Sequence, residues 1–150
     1  MSSMAKLTRS VTIAAPVEEV FDYALDIRKL WDWPDVALAD VVLTPDGVGS
    51  SARLWMHWLG FHMEAGLEYT EVVRPQRITA EVGFALEHPT WTFTFEPADG
   101  GTKLTAEGEW HVNVPAVGKT FEKMMVKEHV DGLELLLANI KKQLEAAAAA

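Results

Sequence analysis

Side chains able to act on a bound molecule are few in this sequence, and they are scattered. His129 stands one helical turn after Met125, at the edge of an apolar stripe, with Gly132 three residues further on. An imidazole there is either a half-buried group hydrogen-bonded to a carbonyl or a polar tip able to bind or protonate a ligand oxygen. Arg53 lies in a strand-like run beside Trp55. It reads most simply as a surface residue, and otherwise as an inward anchor for an enolate or carboxylate. His57, His62 and Glu64 come nearest to a metal-ligating set. His62 and Glu64 share a strand face, but His57 lies across the Leu59-Gly60 bend at the opposite parity and no His-Glu-x-x-His is present, so no metal is expected. Most acids (Glu64, Glu68, Glu81, Glu96, Glu107 and Glu109) fall at solvent-facing positions, while Asp32, Asp35 and Asp40 sit where a mouth is expected. Nothing resembles a Ser-His-Asp set, a P-loop or a dinucleotide fingerprint, and no cofactor is expected.

Aromatic residues supply a different kind of chemistry. Six tryptophans (31, 33, 55, 58, 91 and 110) are accompanied by Met56, Met63, Met124 and Met125. Such residues either fill a core or line a cavity with flat, adaptable surface. Trp55 and Trp58 have opposite parity on one strand, so both cannot point inward unless a bulge intervenes.

The elements that must position these residues follow from periodicity. From Val117 to Leu144 the positions Val117, Phe121, Met125, His129, Leu133, Leu136, Ile140 and Leu144 make one stripe at helical spacing, with Lys123, Lys127, Asp131, Glu134, Lys141 and Glu145 opposite. A helix of that length spans about 40 Å. Leu7–Ala15 alternates as a strand. Pro16, followed by Glu18 and Glu19, opens a helix whose apolar face is Val17, Val20, Phe21, Ala24 and Leu25. Lys29–Pro34 is a second short helix or turn. Val36–Leu43, Ser51–Trp58, Phe61–Val73, Ile78–Phe84, Trp91–Phe95 and Leu104–Val112 then alternate as strands, separated by Pro45-Asp46-Gly47, Leu59-Gly60, Arg74-Pro75, His88-Pro89 and the hairpin signal Pro97–Gly101. The order is one strand, two short helices, six strands and a long helix. Clean alternation implies an antiparallel sheet with one wet face, and the last helix must cover the other.

Bulk composition narrows the function classes. The 150 residues are 49% hydrophobic and 23% charged, a globular profile with enough chain for one domain spanning 1–150. A net charge of −9 disfavours nucleic acid and anionic membrane surfaces as partners. Cysteine is absent, which excludes disulfides and thiolate chemistry and fits a cytoplasmic location. No apolar run approaches the roughly 20 residues of a membrane span, so stable insertion is not expected. The short Val11–Ala15 run is not a secretory segment. Either a monomer or a homodimer is compatible with the sequence, and the alanine run Ala146–Ala150 is expected to fray.

The stretch Val11–Phe21 (VTIAAPVEEVF), the Trp31/Trp33/Pro34 turn, Gly47-Val48-Gly49, and Gly100-Gly101-Thr102-Lys103-Leu104-Thr105 together resemble the helix-grip superfamily. This group includes START lipid-binding domains, birch-pollen-allergen-like proteins and bacterial polyketide cyclase/dehydrase-like proteins. The resemblance implies an α+β helix-grip fold, in which a curved antiparallel sheet of about seven strands wraps round the C-terminal helix. It also implies a cavity between sheet and helix for a small hydrophobic molecule such as a lipid, polyketide or isoprenoid. Under it, Trp33, Trp55, Met56, Met63, Trp91, Phe93, Trp110, Met125 and His129 become the expected cavity lining. If the protein is instead a cyclase, aromatase or dehydratase, His129 and Arg53 are the candidate catalytic groups. The scaffold also serves protein-interaction modules, against which the polar outer sheet face counts.

Overall fold

A computed structural model describes residues 3–32, 36–58, 61–84, 88–112 and 118–149, with side chains described over 6–32, 36–56, 62–84, 88–110 and 130–147. The elements run in the expected order. Strand β1 (Ser3–Ile13) is followed by helices α1 (Val17–Leu25) and α2 (Ile27–Leu30). Then come β2 (Val36–Val42), β3 (Ser51–Trp58), β4 (Phe61–Val73), β5 (Arg77–Gly83), β6 (Thr90–Ala98), β7 (Gly101–Val112) and the long helix α3 (Gly118–Ala149). All seven strands form one antiparallel sheet in the order β1-β7-β6-β5-β4-β3-β2, so β1 and β2 are its edges. The sheet is curved, with the helices on its inner side.

Local chemistry explains the elements between the strands. Pro16 precedes α1, Glu18 and Glu19 occupy its first turn, and Val20, Phe21 and Ala24 are buried. Asp26 separates the two short helices. Its carboxylate accepts from the Arg28 backbone N–H at 2.9 Å and from the Arg28 guanidinium at 2.8 and 2.9 Å. The Arg28 side chain thereby holds this carboxyl below the usual carboxylate range. In β2 the register shifts between Ala39 and Val42, where Asp40 takes a φ of 52°. Such a bulge blunts an edge strand against pairing with another chain.

Within the last glycine-rich mark of the sequence, Gly101 proves to be a point of close approach. A Cβ at Gly101 would collide with the carbonyl of Ile13, so only glycine lets β7 pass the end of β1. The next residue, Thr102, is buried and donates its hydroxyl to the Ala15 carbonyl at 2.7 Å. Together they tie the last hairpin to the turn that launches α1.

Inner-face residues are buried as the alternation requires. Ala65, Leu67 and Tyr69 of β4, Ile78, Ala80 and Val82 of β5, Trp91, Phe93 and Phe95 of β6, and Leu104, Ala106 and Trp110 of β7 all belong to one core. Helix α3 adds Leu133, Leu136, Leu137, Ile140 and Leu144. Lys141 and Glu145, expected on the solvent side of α3, instead flank the buried stripe. Lys141 Nζ donates to the Thr12 carbonyl at 2.7 Å and to Glu145 Oε2 at 2.8 Å, while the Ala14 N–H donates to the same Oε2 at 2.9 Å. An edge strand leaves backbone groups unpaired, and these two side chains satisfy them. The helix continues through the alanine run to Ala149, as alanine's high helix propensity allows.

Candidate functional site

The inner face of the sheet changes character along its length. At the end nearest the β1–α1 turn it is solid. Ile13, Phe21, Phe93 and Leu104 have no measurable exposure, Phe95 has 2%, and the Phe21 and Phe95 rings meet edge-on at 5.2 Å. Trp31, after α2, is buried and packs edge-on against Phe93 at 6.1 Å. At the far end, towards the β3–β4 connection, the same face holds Val36, Leu38, Met56, Met63 and Phe84, all only partly buried. Register places Met56 opposite Met63 and Val36 opposite Met56, so three apolar side chains on β2, β3 and β4 form one row. Partly exposed thioethers and aliphatic groups on the concave side of a sheet suit an adaptable apolar contact surface.

Between these ends lies a buried aromatic pair. Trp91 and Trp110 are stacked, with ring centroids 6.3 Å apart and planes inclined by 27°. Trp91 pairs in register with Gly108, and its six-membered ring lies across that glycine, within 2.5–2.8 Å of where a Cβ would stand.

The expected site residues are thus distributed unequally. Met56 and Met63 come together at the far end. Trp91 and Trp110 stack on each other within the core, and Phe93 lies within the solid end. Trp55 corrects its expected place in the lining, since it lies on the outer face; Arg53 lies there too, as its simplest reading has it and not as an inward anchor. Trp55 pairs with Glu64 in register, the Arg53 guanidinium covers the Trp55 ring at 5.0 Å, and Arg53 pairs with Glu64 and, at 3.5 Å, with Asp40. The adjacent carboxylates raise the Arg53 pKa, so the guanidinium stays a cation held at the surface. The physical reason is parity, since Ala52 and Leu54 point inward and their neighbours cannot. Trp33, and the side chains of His57, Trp58, Met125 and His129, lie outside the described residues. Among the described residues no group of His, Asp and Glu could hold a metal.

Sequence reasoning passed over Val36, Leu38 and Phe84 as lining and Gly108 as a support. A glycine at an inward strand position is itself a signal of close approach. Three hydroxyls in the described interior are committed to the fold. Ser50 Oγ accepts from the Thr44 N–H at 3.0 Å, Thr102 is bonded to Ala15, and the Tyr69 hydroxyl donates to the Ala24 carbonyl at 2.7 Å. Burial pushes the Tyr69 phenol far above its ordinary value, so it stays protonated. On the outer face a depression of about 340 Å³ lies over Gly66 and Gly83, walled by Glu68, Glu81 and His88. Val82 and Thr90 complete its lining, and it is open to solvent.

Comparison with known proteins decides the family. A model of the family described as polyketide cyclase / dehydrase and lipid transport matches residues 4–145. The chain belongs to this family. Its fold is the helix-grip fold, shared with solved structures of low sequence identity. TTHA0849 from Thermus thermophilus is 22% identical, with a TM-score of 0.78 over 97% of this chain and 99% of that one. SA2116 from Staphylococcus aureus is 14% identical, with a TM-score of 0.75 over 99% and 98%. Ara h 8.0201 is 15% identical, with a TM-score of 0.68 over 96% and 99%. No curated protein matches the sequence. No described helix is long and apolar enough to cross a membrane.

Proposed function

We propose that the protein binds a small hydrophobic molecule between the inner sheet face and α3, over the row Val36, Met56 and Met63. The observation that carries this reading is the contrast in burial along one continuous apolar face. Leu136 and Ile140 are closed off at one end, while Met56, Met63, Leu38 and Phe84 stay partly exposed at the other. Leaving apolar surface accessible forgoes roughly 25 cal/mol per Å² of burial, a cost that an apolar ligand recovers. Membership of a family described by cyclases, dehydrases and lipid transport supports the same reading.

Native mass spectrometry of protein purified from its host tests it directly. A co-purified hydrophobic molecule, displaced when Met56 and Met63 are both changed to Asp, is the expected result. A high-resolution structure with protein side chains filling the space over Met56 and Met63 would overturn it.

The family description also favours a second reading, in which the bound molecule is a polyketide-like chain that is cyclised or dehydrated. In this reading His129 supplies the proton transfer. Arg53, salt-bridged on the outer face, takes no part. Incubating poly-β-ketone mimics with wild type and His129→Ala separates the readings: turnover lost with retained binding supports an enzyme, and no turnover by wild type supports a carrier.

A further inference from the structure

Met56 and Met63 are the two methionines whose side chains the structure describes, and both lie in the row over which a ligand is proposed to sit. They face each other in register on β3 and β4, where directly opposed residues have Cβ atoms roughly 5 Å apart. Both are partly exposed, although Leu54 and Ala65, the next inward residues on the same two strands, are 2% and 4% exposed. A small oxidant dissolved in water therefore reaches these two sulfurs. The chain contains six methionines and no cysteine, so thioether is its only form of sulfur and no thiol competes for the oxidant. The described neighbours on that part of the face, Val36, Leu38 and Phe84, carry no polar side-chain atom.

We infer that Met56 and Met63 form a paired oxidation site that closes the binding space to apolar molecules when both thioethers become sulfoxides. The inference rests on the binding function proposed above. Hydrogen peroxide is the co-reactant: its O–O bond breaks, one oxygen joins the methionine sulfur, and the other leaves as water with both protons. The sulfur is oxidised by two electrons and the peroxide is reduced by two. Each sulfoxide adds a strong acceptor to a row whose described members offer it no side-chain donor, so covering it with an apolar ligand strands a polar group. Because the two residues are directly opposed, a ligand lying over the row meets both. A bound apolar molecule covers the sulfurs in turn, which makes the empty protein the form that oxidises. Methionine sulfoxide reductases reverse the step with a dithiol, which is oxidised to a disulfide as the oxygen leaves as water.

The uncharged fluorescent probe 1-aminoanthracene reads the affinity of the full chain before and after exposure to hydrogen peroxide, with the oxidant removed by gel filtration. Peptide mass mapping is expected to find one added oxygen at each of Met56 and Met63. Affinity for the probe should fall about tenfold or more, the scale of covering an unpaired polar group. Methionine sulfoxide reductases A and B with dithiothreitol should restore it, and saturating probe during exposure should slow oxidation at these two residues. Changing both residues to Leu keeps apolar side chains of similar volume. In that double variant, affinity after exposure should stay within about twofold of its own value before. Oxidation of both methionines without loss of affinity, an equal loss in the double variant, or a loss that reduction does not reverse overturns the inference. So does equal oxidation with and without bound probe, or none at Met56 and Met63 under conditions that convert free methionine. All of these outcomes leave the binding function standing. Failure of untreated wild type to bind the probe instead removes the binding function, and this inference with it.

Discussion

The Tyr69 hydroxyl donates to the Ala24 carbonyl at 2.7 Å, joining the middle of β4 to the last turn of α1. That carbonyl is one of the last four of its helix and has no partner within it. The phenol supplies the partner, and burial of the ring holds α1 and α2 against the sheet. Tyr69→Phe is expected to cost about 1–2 kcal/mol, the penalty of stranding a buried acceptor, read from the midpoint of urea unfolding.

The same bond predicts a pH dependence. Burial raises the folded-state pKa of Tyr69 above the unfolded value, which lies near 10. The stabilisation is therefore fully present below pH about 10, and it is lost above that as the unfolded chain ionises and the folded one does not. Wild type should lose stability between pH 9 and 11 faster than Tyr69→Phe, on the scale of the roughly one-unit window around that pKa. Parallel slopes in the two proteins would show that Tyr69 does not titrate on unfolding.

At the edge of the sheet the sign is opposite. Lys141 first, and then the Ala14 N–H, hold the Glu145 carboxyl below the usual range. Its contribution is present above the unfolded carboxylate value and is lost as pH falls through the lower folded value. Glu145→Gln should speed amide exchange at Ala14 at neutral pH and make no difference in acid. High salt should shrink the neutral effect, because the pair is partly exposed.

Two neighbouring glycines separate steric from conformational demands. Gly100 has a φ of 78° and open space where a Cβ would stand, so Gly100→Ala should cost about 1 kcal/mol for its left-handed backbone. Gly101 faces the Ile13 carbonyl, which is backbone and cannot step aside. Gly101→Ala should cost about 3 kcal/mol or more, or prevent folding. Similar midpoints for the two variants would mean that β7 can slide away from β1.

Truncations along α3 and the sheet test the division between closed and accessible ends. Leu136, with 1% exposure, should cost about 2–5 kcal/mol when changed to Ala. Met56→Ala, partly exposed, should cost less than that and weaken hydrophobic-ligand binding instead. Arg53→Ala should leave ligand affinity unchanged. A binding defect in Arg53→Ala would return that residue to the site.

Much of the architecture was legible because strands and helices impose different periods on one chain. Alternation in Phe61–Tyr69 and Trp91–Phe95 determined which side chains face inward, and the bounds expected for β3 and β4, Ser51–Trp58 and Phe61–Val73, are those observed. Leu133, Leu136, Ile140 and Leu144 followed from helical spacing in the same way. Parity, however, gives only the face. It could not tell whether β3 turns Trp55 or Trp58 inward, because both faces of that strand carry large apolar residues. Register decided that Trp55 faces outward, setting it opposite Glu64 and under Arg53. Nor could local pattern place an inward residue along the length of the sheet. Phe93 at the solid end and Met63 at the far end satisfy the same alternation, and only strand stagger and helix packing separate them. The bonds from Lys141 and Glu145 to β1, like the flat seat of Trp91 on Gly108, join groups that no short-range period connects. The sequence by itself determined the elements, their order and their apolar faces, since these follow from backbone geometry acting over a few residues. Tertiary structure decided which parts of those faces are closed and which stay partly exposed, since that depends on contacts between distant segments.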